Sequence, residues 1–157
     1  MSLNVVAGLL LFILQMISPN DRLAKLYFHF AQNIEGKWRA PAWSGQLHET
    51  WYVDPDNWLT QQAVYFEKTD TTYRAQSRIG IVSNKLILYT VIENANPKIF
   101  QATIVTSDSV VFENSDYKNP SKVVYRFIDI NTFHRTISGL EKDHAVSYTF
   151  NFTRENH

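Results

Sequence analysis

The stretch "HAVSYTFNFTR", residues 144–154, alternates apolar and polar side chains almost without fault. A period of two is typical of a half-buried β-strand, with one face on the core and the other in solvent. The count places His144, Phe150 and Phe152 on the apolar side, and it places Arg154 there as well. An unpaired buried charge is costly, so we expect the guanidinium to find a partner inside the fold.

A strand-and-turn rhythm fills the chain between Gly36 and this last strand. Clusters of Gly, Pro, Asn, Asp and Ser separate short runs rich in β-branched and aromatic residues. No helix-length segment separates consecutive runs, so parallel crossovers are not expected. The predicted strands lie near 37–40, 45–53, 58–67, 72–82, 85–92, 98–106, 109–113, 121–130, 132–138 and 144–154. This pattern predicts an all-β, antiparallel up-and-down barrel of about eight to ten strands, with a two-sheet sandwich as the alternative.

A helix is expected before the first strand. Pro19 ends whatever precedes it, and Asn20 or Asp21 can cap the turn that follows. Apolar residues then recur at three- and four-residue spacing, which predicts an amphipathic helix over residues 21–32. The apolar stripe consists of Leu23, Leu26, Tyr27 and Phe30.

Residues 1–18 form a separate apolar segment ahead of a single domain at 19–157. The run from Val5 to Ile17 is too short to span a bilayer but has the length of a signal-peptide core. No Lys or Arg precedes it, and no small-residue cleavage site follows it. A remnant export signal and a helix that packs or pairs two chains are both open interpretations, and membrane association is not favoured.

The overall composition excludes several classes of function. Fifteen basic and fifteen acidic residues give a formal net charge of zero, which argues against a nucleic-acid partner. The chain has no cysteine, so disulfides, thiolate nucleophiles and Cys-ligated zinc are excluded.

A closed barrel would give Arg154 a partner. Its first and last strands are neighbours, and the first begins with "GKW", residues 36–38. A guanidinium can stack on the Trp38 indole and donate to carbonyls at the end of the preceding helix. A short leading helix, Gly36 and Trp38 opening the first strand, and Arg154 closing the last together resemble the lipocalin-type (calycin) barrels.

More narrowly, residues 33–155 resemble an uncharacterised family of bacterial lipocalin-like domains, many of them exported. The shared motifs are "GKW" (36–38), "ETW" (49–51), "FEN" (112–114) and "ISG" (137–139). Where that family has His-Asp-Phe-Pro, this chain has "YKNP" (117–120), so Tyr117 and Lys118 cannot duplicate the role of the His and Asp. The resemblance favours an exported or periplasmic location over a cytoplasmic one.

Charged residues on apolar strand faces are candidate site residues. Glu49 falls among the inward side chains of residues 45–53, and Arg135 falls among those of residues 132–139. The two can form a structural ion pair or together hold the polar group of a ligand, unless a bulge turns one of them outward.

Other candidates lie on neighbouring strands. Glu113 and Asn114 precede a predicted rim loop, where recognition residues concentrate, although an Asn turn at a strand end explains them too. Tyr89 and Tyr125 can line a cavity or pack as ordinary aromatic residues. The predicted ligand-binding set is Glu49, Trp51, Tyr89, Glu113, Asn114, Tyr125, Arg135 and Phe150.

No cofactor or metal site is predicted. The five histidines include no i, i+4 pair and no His-x-His, and only His144, counted as inward, could serve as an axial haem ligand. No Gly-x-Ser-x-Gly elbow or glycine-rich phosphate loop is present in the sequence.

The preferred hypothesis is a binding protein for a small hydrophobic or amphipathic molecule, because eight to ten strands enclose room for one small ligand. A second hypothesis is a cavity enzyme that uses Glu49 or Glu113 as acid or base, alone or as a pair. A third is a non-catalytic interaction module that forms a homodimer through its N-terminal helices. Nothing in the sequence names the ligand.

Overall fold

Ten antiparallel strands close into a barrel in the computed structural model, which describes residues 18–68 and 70–155. Each strand pairs with the next in the chain, and the last returns to the first, so the predicted up-and-down barrel is confirmed. The elements are α1 (Pro19–Ile34), β1 (Gly36–Ala42), β2 (Gly45–Val53), β3 (Leu59–Glu67), β4 (Asp70–Val82), β5 (Lys85–Ile92), β6 (Lys98–Val105), β7 (Ser109–Glu113), β8 (Lys122–Asp129), β9 (Thr132–Glu141) and β10 (His144–Arg154).

Helix α1 is longer at both ends than the sequence pattern predicts. Its N-cap is Ser18, whose Oγ accepts a hydrogen bond from the Asn20 backbone N–H at 3.3 Å. The predicted cap at Asn20 or Asp21 is therefore wrong. Pro19 occupies the first helical position, where its missing N–H costs nothing, so it begins this helix.

The helix covers one end of the barrel, which we call the closed end. Phe30 and Ile34 are buried there, and Phe30 packs edge-on against Tyr125 at 5.8 Å between ring centroids. The Tyr27 hydroxyl accepts from the Leu59 N–H at 3.0 Å and lies within hydrogen-bonding distance of two backbone carbonyls. This buried hydroxyl is thus satisfied inside the fold.

The Arg154 side chain joins the two ends of the sheet. Its guanidinium carbon lies 4.1 Å from the centroid of the Trp38 ring, and the two residues face each other across the β1–β10 pairing. The predicted stacking is confirmed. The guanidinium also donates to the carbonyls of Glu35 (2.6 Å), Asn33 (2.7 Å) and Ile130 (3.1 Å).

Gly36 makes this arrangement possible. Its φ of +127° lies in a region that side chains rarely adopt, and a Cβ there would lie 2.7 Å from Nη1 of Arg154. The Gly-x-Trp motif therefore combines a backbone bend with the indole on which the arginine stacks.

Residues 1–17 of the predicted apolar N-terminal segment (1–18) lie outside the described part of the chain, and its last residue, Ser18, caps α1. Within residues 18–68 and 70–155, no helix is long and apolar enough to cross a membrane.

Candidate ligand-binding cavity

Glu49 and Arg135 meet inside the barrel. Strand alternation turns both inward, and their side chains are 0% and 10% exposed. Arg135 Nη1 donates to Oε1 of Glu49, and the Trp51 indole N–H donates to Oε2 at 2.9 Å. Each carboxylate oxygen therefore has a partner, and the buried pair is neutral overall.

Arg135 itself is only partly satisfied. Its guanidinium lies over Phe152 (5.0 Å) and Phe150 (5.5 Å), and its Nε has no hydrogen-bond partner. Among the residues that the structure describes, Arg135 Nε is the one buried side-chain nitrogen or oxygen without a hydrogen-bond partner. Burial acts to lower the pKa of Arg135, but the Glu49 carboxylate, Tyr125 and Tyr73 together outweigh this effect, so its pKa is raised and the group stays charged.

Two tyrosines lie beside the ion pair. Tyr125 faces Arg135 across the β8–β9 pairing, and burial raises the pKa of Tyr125 to about 12. Burial also raises the pKa of Tyr73, with the Glu49 charge adding to the effect and the Arg135 charge opposing it. Both hydroxyls are therefore protonated at neutral pH, so each can donate a hydrogen bond.

A cavity of about 100 Å³ lies between these polar groups and the open end of the barrel. Arg135 is the one charged residue among the described residues that line it. The volume corresponds to about three water molecules or one small ring, well below the roughly 300 Å³ at which drug-sized pockets begin. The apolar walls include Leu47, Ala63, Leu88, Val123, Ile137 and Phe150, and the polar walls include Gln61, Ser77 and Thr90.

Trp43 covers the mouth of the cavity. It lies in the two-residue loop between β1 and β2, and its ring packs edge-on against Tyr65 (5.3 Å) and Phe150 (5.4 Å). The residue is 71% exposed and has a φ of +46°. A bulky residue in this region is strained, and such strain often accompanies ligand sites.

The structure brings only part of the predicted set to the cavity. Tyr125, Arg135 and Phe150 line it, whereas Glu49 and Trp51 lie behind Arg135 and support it. Tyr89 does not line the cavity, because β5 turns Leu88 and Thr90 inward and therefore Tyr89 outward.

Glu113 and Asn114 of "FEN" lie outside the barrel wall, whereas Phe112 is buried in the core. Glu113 is held by Thr103 (2.7 Å) and Lys122 (3.1 Å), and these contacts lower its pKa. The Asn114 amide donates to the Ile99 carbonyl at 2.8 Å, closing a corner of the sheet. Because Glu49 points inward and Glu113 outward, the two cannot work as a carboxylate pair.

The "YKNP" loop (117–120) is anchored over the open end of the barrel. The Tyr117 hydroxyl accepts from the Ile99 N–H at 3.1 Å, and the Lys118 carbonyl accepts from the Leu140 N–H at 2.6 Å. Pro120 reaches the cavity lining. Gly139 of "ISG" allows this close approach, since a Cβ there would overlap the loop backbone.

His144 is exposed, so the predicted inward orientation is wrong. Along β10 only Phe150 and Phe152 are buried, because the first half of the strand lies beyond the buried core. Across residues 18–68 and 70–155, no group of three or more His, Asp or Glu side chains could hold a metal ion.

Several cavity residues were absent from the predicted set. Gln61 and Ser77 occupy inward positions between apolar neighbours, so the alternation that marked Glu49 could have marked them too. Tyr73 sits on the same inward face of β4. Trp43 belongs to a turn, where alternation gives no signal.

Comparison with models of known protein families, with curated proteins and with solved structures finds no match to this chain. The closed ten-strand antiparallel barrel with its N-terminal helix is compatible with a lipocalin-like fold.

Proposed function

We propose that this protein binds a small, largely apolar molecule inside its barrel. The observation that supports this most strongly is Arg135, a buried guanidinium that lines an apolar-walled cavity beside its partner Glu49. A ligand that accepts a hydrogen bond from this charged donor gains about 1.5–3 kcal/mol. The surrounding apolar side chains gain further free energy by covering the ligand.

Acid–base catalysis has weaker support from the geometry. Both oxygens of Glu49 are engaged, and Glu113 faces away from the cavity. A general base must reach its substrate's proton directly or through one water, and neither carboxylate is placed to do so.

The finer interpretations stay predictions. They are membership of the bacterial lipocalin-like family, export or a periplasmic location, and a homodimer formed through the N-terminal helices. Deleting residues 1–17 and measuring the solution mass tests the homodimer, because an unchanged dimer mass would exclude a role for that segment.

Binding can be tested with two rings that suit the cavity, cyclohexanone and methylenecyclohexane, by calorimetric titration. We expect at least one to bind the wild-type protein, and we expect Ala63→Leu to abolish binding by filling the cavity. Ala145→Leu, on the exposed face of β10, is the matched control and should bind as the wild type does.

If Ala63→Leu does not fold, as judged by circular dichroism, Ala75→Leu fills the same cavity from the next strand. Failure of both rings to bind the folded wild-type protein, or binding that survives a filled cavity, would contradict the proposal. Native mass spectrometry of freshly purified protein then shows whether a natural small molecule is retained.

A further inference from the structure

The polar groups of the cavity restrict the charge of its ligand. Glu49 and Arg135 neutralise each other, and both carboxylate oxygens already have partners. An anionic ligand would add an uncompensated buried charge, since the charge of Arg135 is already balanced by Glu49. A cationic ligand would meet the guanidinium with no free carboxylate beside it. An uncharged ligand avoids both costs.

The same groups restrict its hydrogen bonding. The Arg135 guanidinium, which lines the cavity, can only donate, so a ligand group that pairs with it must be an acceptor. The Tyr125 and Tyr73 hydroxyls hold their protons, because burial raises the pKa of each, and they can donate to the same acceptor or to a second one. Donors therefore dominate this part of the lining.

The remaining lining restricts size and polarity. A volume of about 100 Å³ is smaller than the roughly 150 Å³ cavity that takes up benzene, so it limits the ligand to at most a single small ring. Leu47, Leu88, Val123 and Ile137 offer no hydrogen bonds to the rest of the ligand. The ligand body that fits these walls is therefore apolar.

On the basis of the proposed function, we propose that the ligand is an uncharged small molecule that presents a carbonyl-type acceptor, as in a ketone, ester or amide, to the guanidinium of Arg135, which lines the cavity. Glu49 is then a positioning residue, because it holds the guanidinium in place through Nη1.

Cyclohexanone and methylenecyclohexane test this assignment, because they share a shape and differ in having C=O or C=CH₂. The measured quantity is the ratio of their affinities in the wild type and in the double variant Glu49→Gln/Arg135→Met. Comparing the two proteins cancels the different hydrophobicity of the probes. We expect the ketone preference to fall by about tenfold or more in the double variant, as for loss of a hydrogen bond to a charged donor.

A ratio that does not change, with both rings still bound, would overturn this assignment while leaving the proposed function intact. Tighter binding of cyclopentanecarboxylate, an anion of similar size, than of cyclohexanone by the wild type would also overturn it. Binding of neither ring would reject the proposed function and this inference together.

A measurement on the wild type alone covers the case in which the double variant does not fold. The NMR resonances of the Arg135 guanidinium N–H groups should move downfield with cyclohexanone and not with methylenecyclohexane. Equal shifts with the two probes would contradict a hydrogen bond to the carbonyl.

Discussion

The closed end and the cavity each contain an inward-facing arginine, and the two differ in how completely they are satisfied. Arg154 stacks on Trp38 and donates to three backbone carbonyls. Arg135, on the neighbouring strand, pairs with Glu49 and keeps its Nε unpaired beside a cavity. Arg154 is therefore structural, because the fold satisfies its donors. Arg135 marks a candidate site, because one of its donors has no partner in the fold.

The surroundings of the two arginines explain the difference. At the closed end, the helix terminus supplies carbonyls from Asn33 and Glu35 within reach of the guanidinium. Inside the barrel, every strand carbonyl is directed along the sheet, so an inward side chain finds only other side chains. A donor there depends on a neighbouring residue, a water or a ligand.

Removing Arg135 is expected to have the largest effect. Arg135→Met leaves Glu49 buried without its cation and should lower the free energy of unfolding by about 3–5 kcal/mol in urea titrations. Adding Glu49→Gln should restore much of the loss, because no uncompensated charge then remains. Arg126→Met, at an exposed position on β8, is the matched control. An equal loss in the single and double variants would show that the ion pair does not govern stability here.

Raising the pH tests the burial of Tyr125, which lies beside Arg135 in the cavity. Its pKa of about 12 in the folded state lies above the ordinary value of 10, so folding favours the protonated phenol. This stabilisation is fully present below pH 10 and is lost as pH rises towards 12, with an expected size of about 1–3 kcal/mol. Unfolding titrations between pH 9 and 12 should show a shallower decline in Tyr125→Phe. Tyr27 and Tyr73 contribute in the same direction, so some decline remains in that variant. Identical slopes in the two proteins would contradict the burial of this hydroxyl.

Removing Arg154 should cost less than removing Arg135, since it leaves no buried charge behind. We expect Arg154→Met to lower stability by about 2 kcal/mol, through lost stacking on Trp38 and lost hydrogen bonds. Arg154→Lys should recover only part of this loss, because an ammonium cannot fork to several carbonyls. Arg39→Met, at an exposed position on β1, should change little. If Arg154→Lys had the full stability of the wild type, the positive charge of Arg154 alone would explain its contribution.

Trp43 should give the smallest effect. Trp43→Ala and Trp43→Gly both remove the cover of the cavity, but only glycine adopts a φ of +46° without strain. The glycine variant should therefore be more stable than the alanine variant by about 1 kcal/mol in thermal unfolding. An alanine variant as stable as the glycine variant would argue against strain at this turn.

The sequence was sufficient to predict the barrel and the contacts of Arg154 because both depend on local periodicity and on one consequence of closing a sheet. Alternation also turned Glu49, Arg135 and Tyr125 inward. These predictions need only the face of each strand, which a period of two determines.

Alternation failed where something other than strand face decided the outcome. Tyr89 lies on the outward face of β5, and His144 lies on a part of β10 that extends beyond the core. The unpaired Nε of Arg135 depends on side-chain packing across the barrel, which no local pattern encodes. The Trp43 cover depends on a turn conformation that is unusual for tryptophan.

The pairing of β1 with β10 also has a consequence for the order of folding. The other nine pairings join consecutive strands. The β1–β10 pairing holds two residue pairs in register and can form only after the strands between β1 and β10 have assembled. Contacts between distant segments form late because closing a long loop is costly in entropy. We therefore expect the contacts of Arg154 to form after the folding transition state. Arg154→Met should then accelerate unfolding in stopped-flow experiments and leave the refolding rate nearly unchanged. Slower refolding in proportion to the lost stability would instead place this pairing in the folding nucleus.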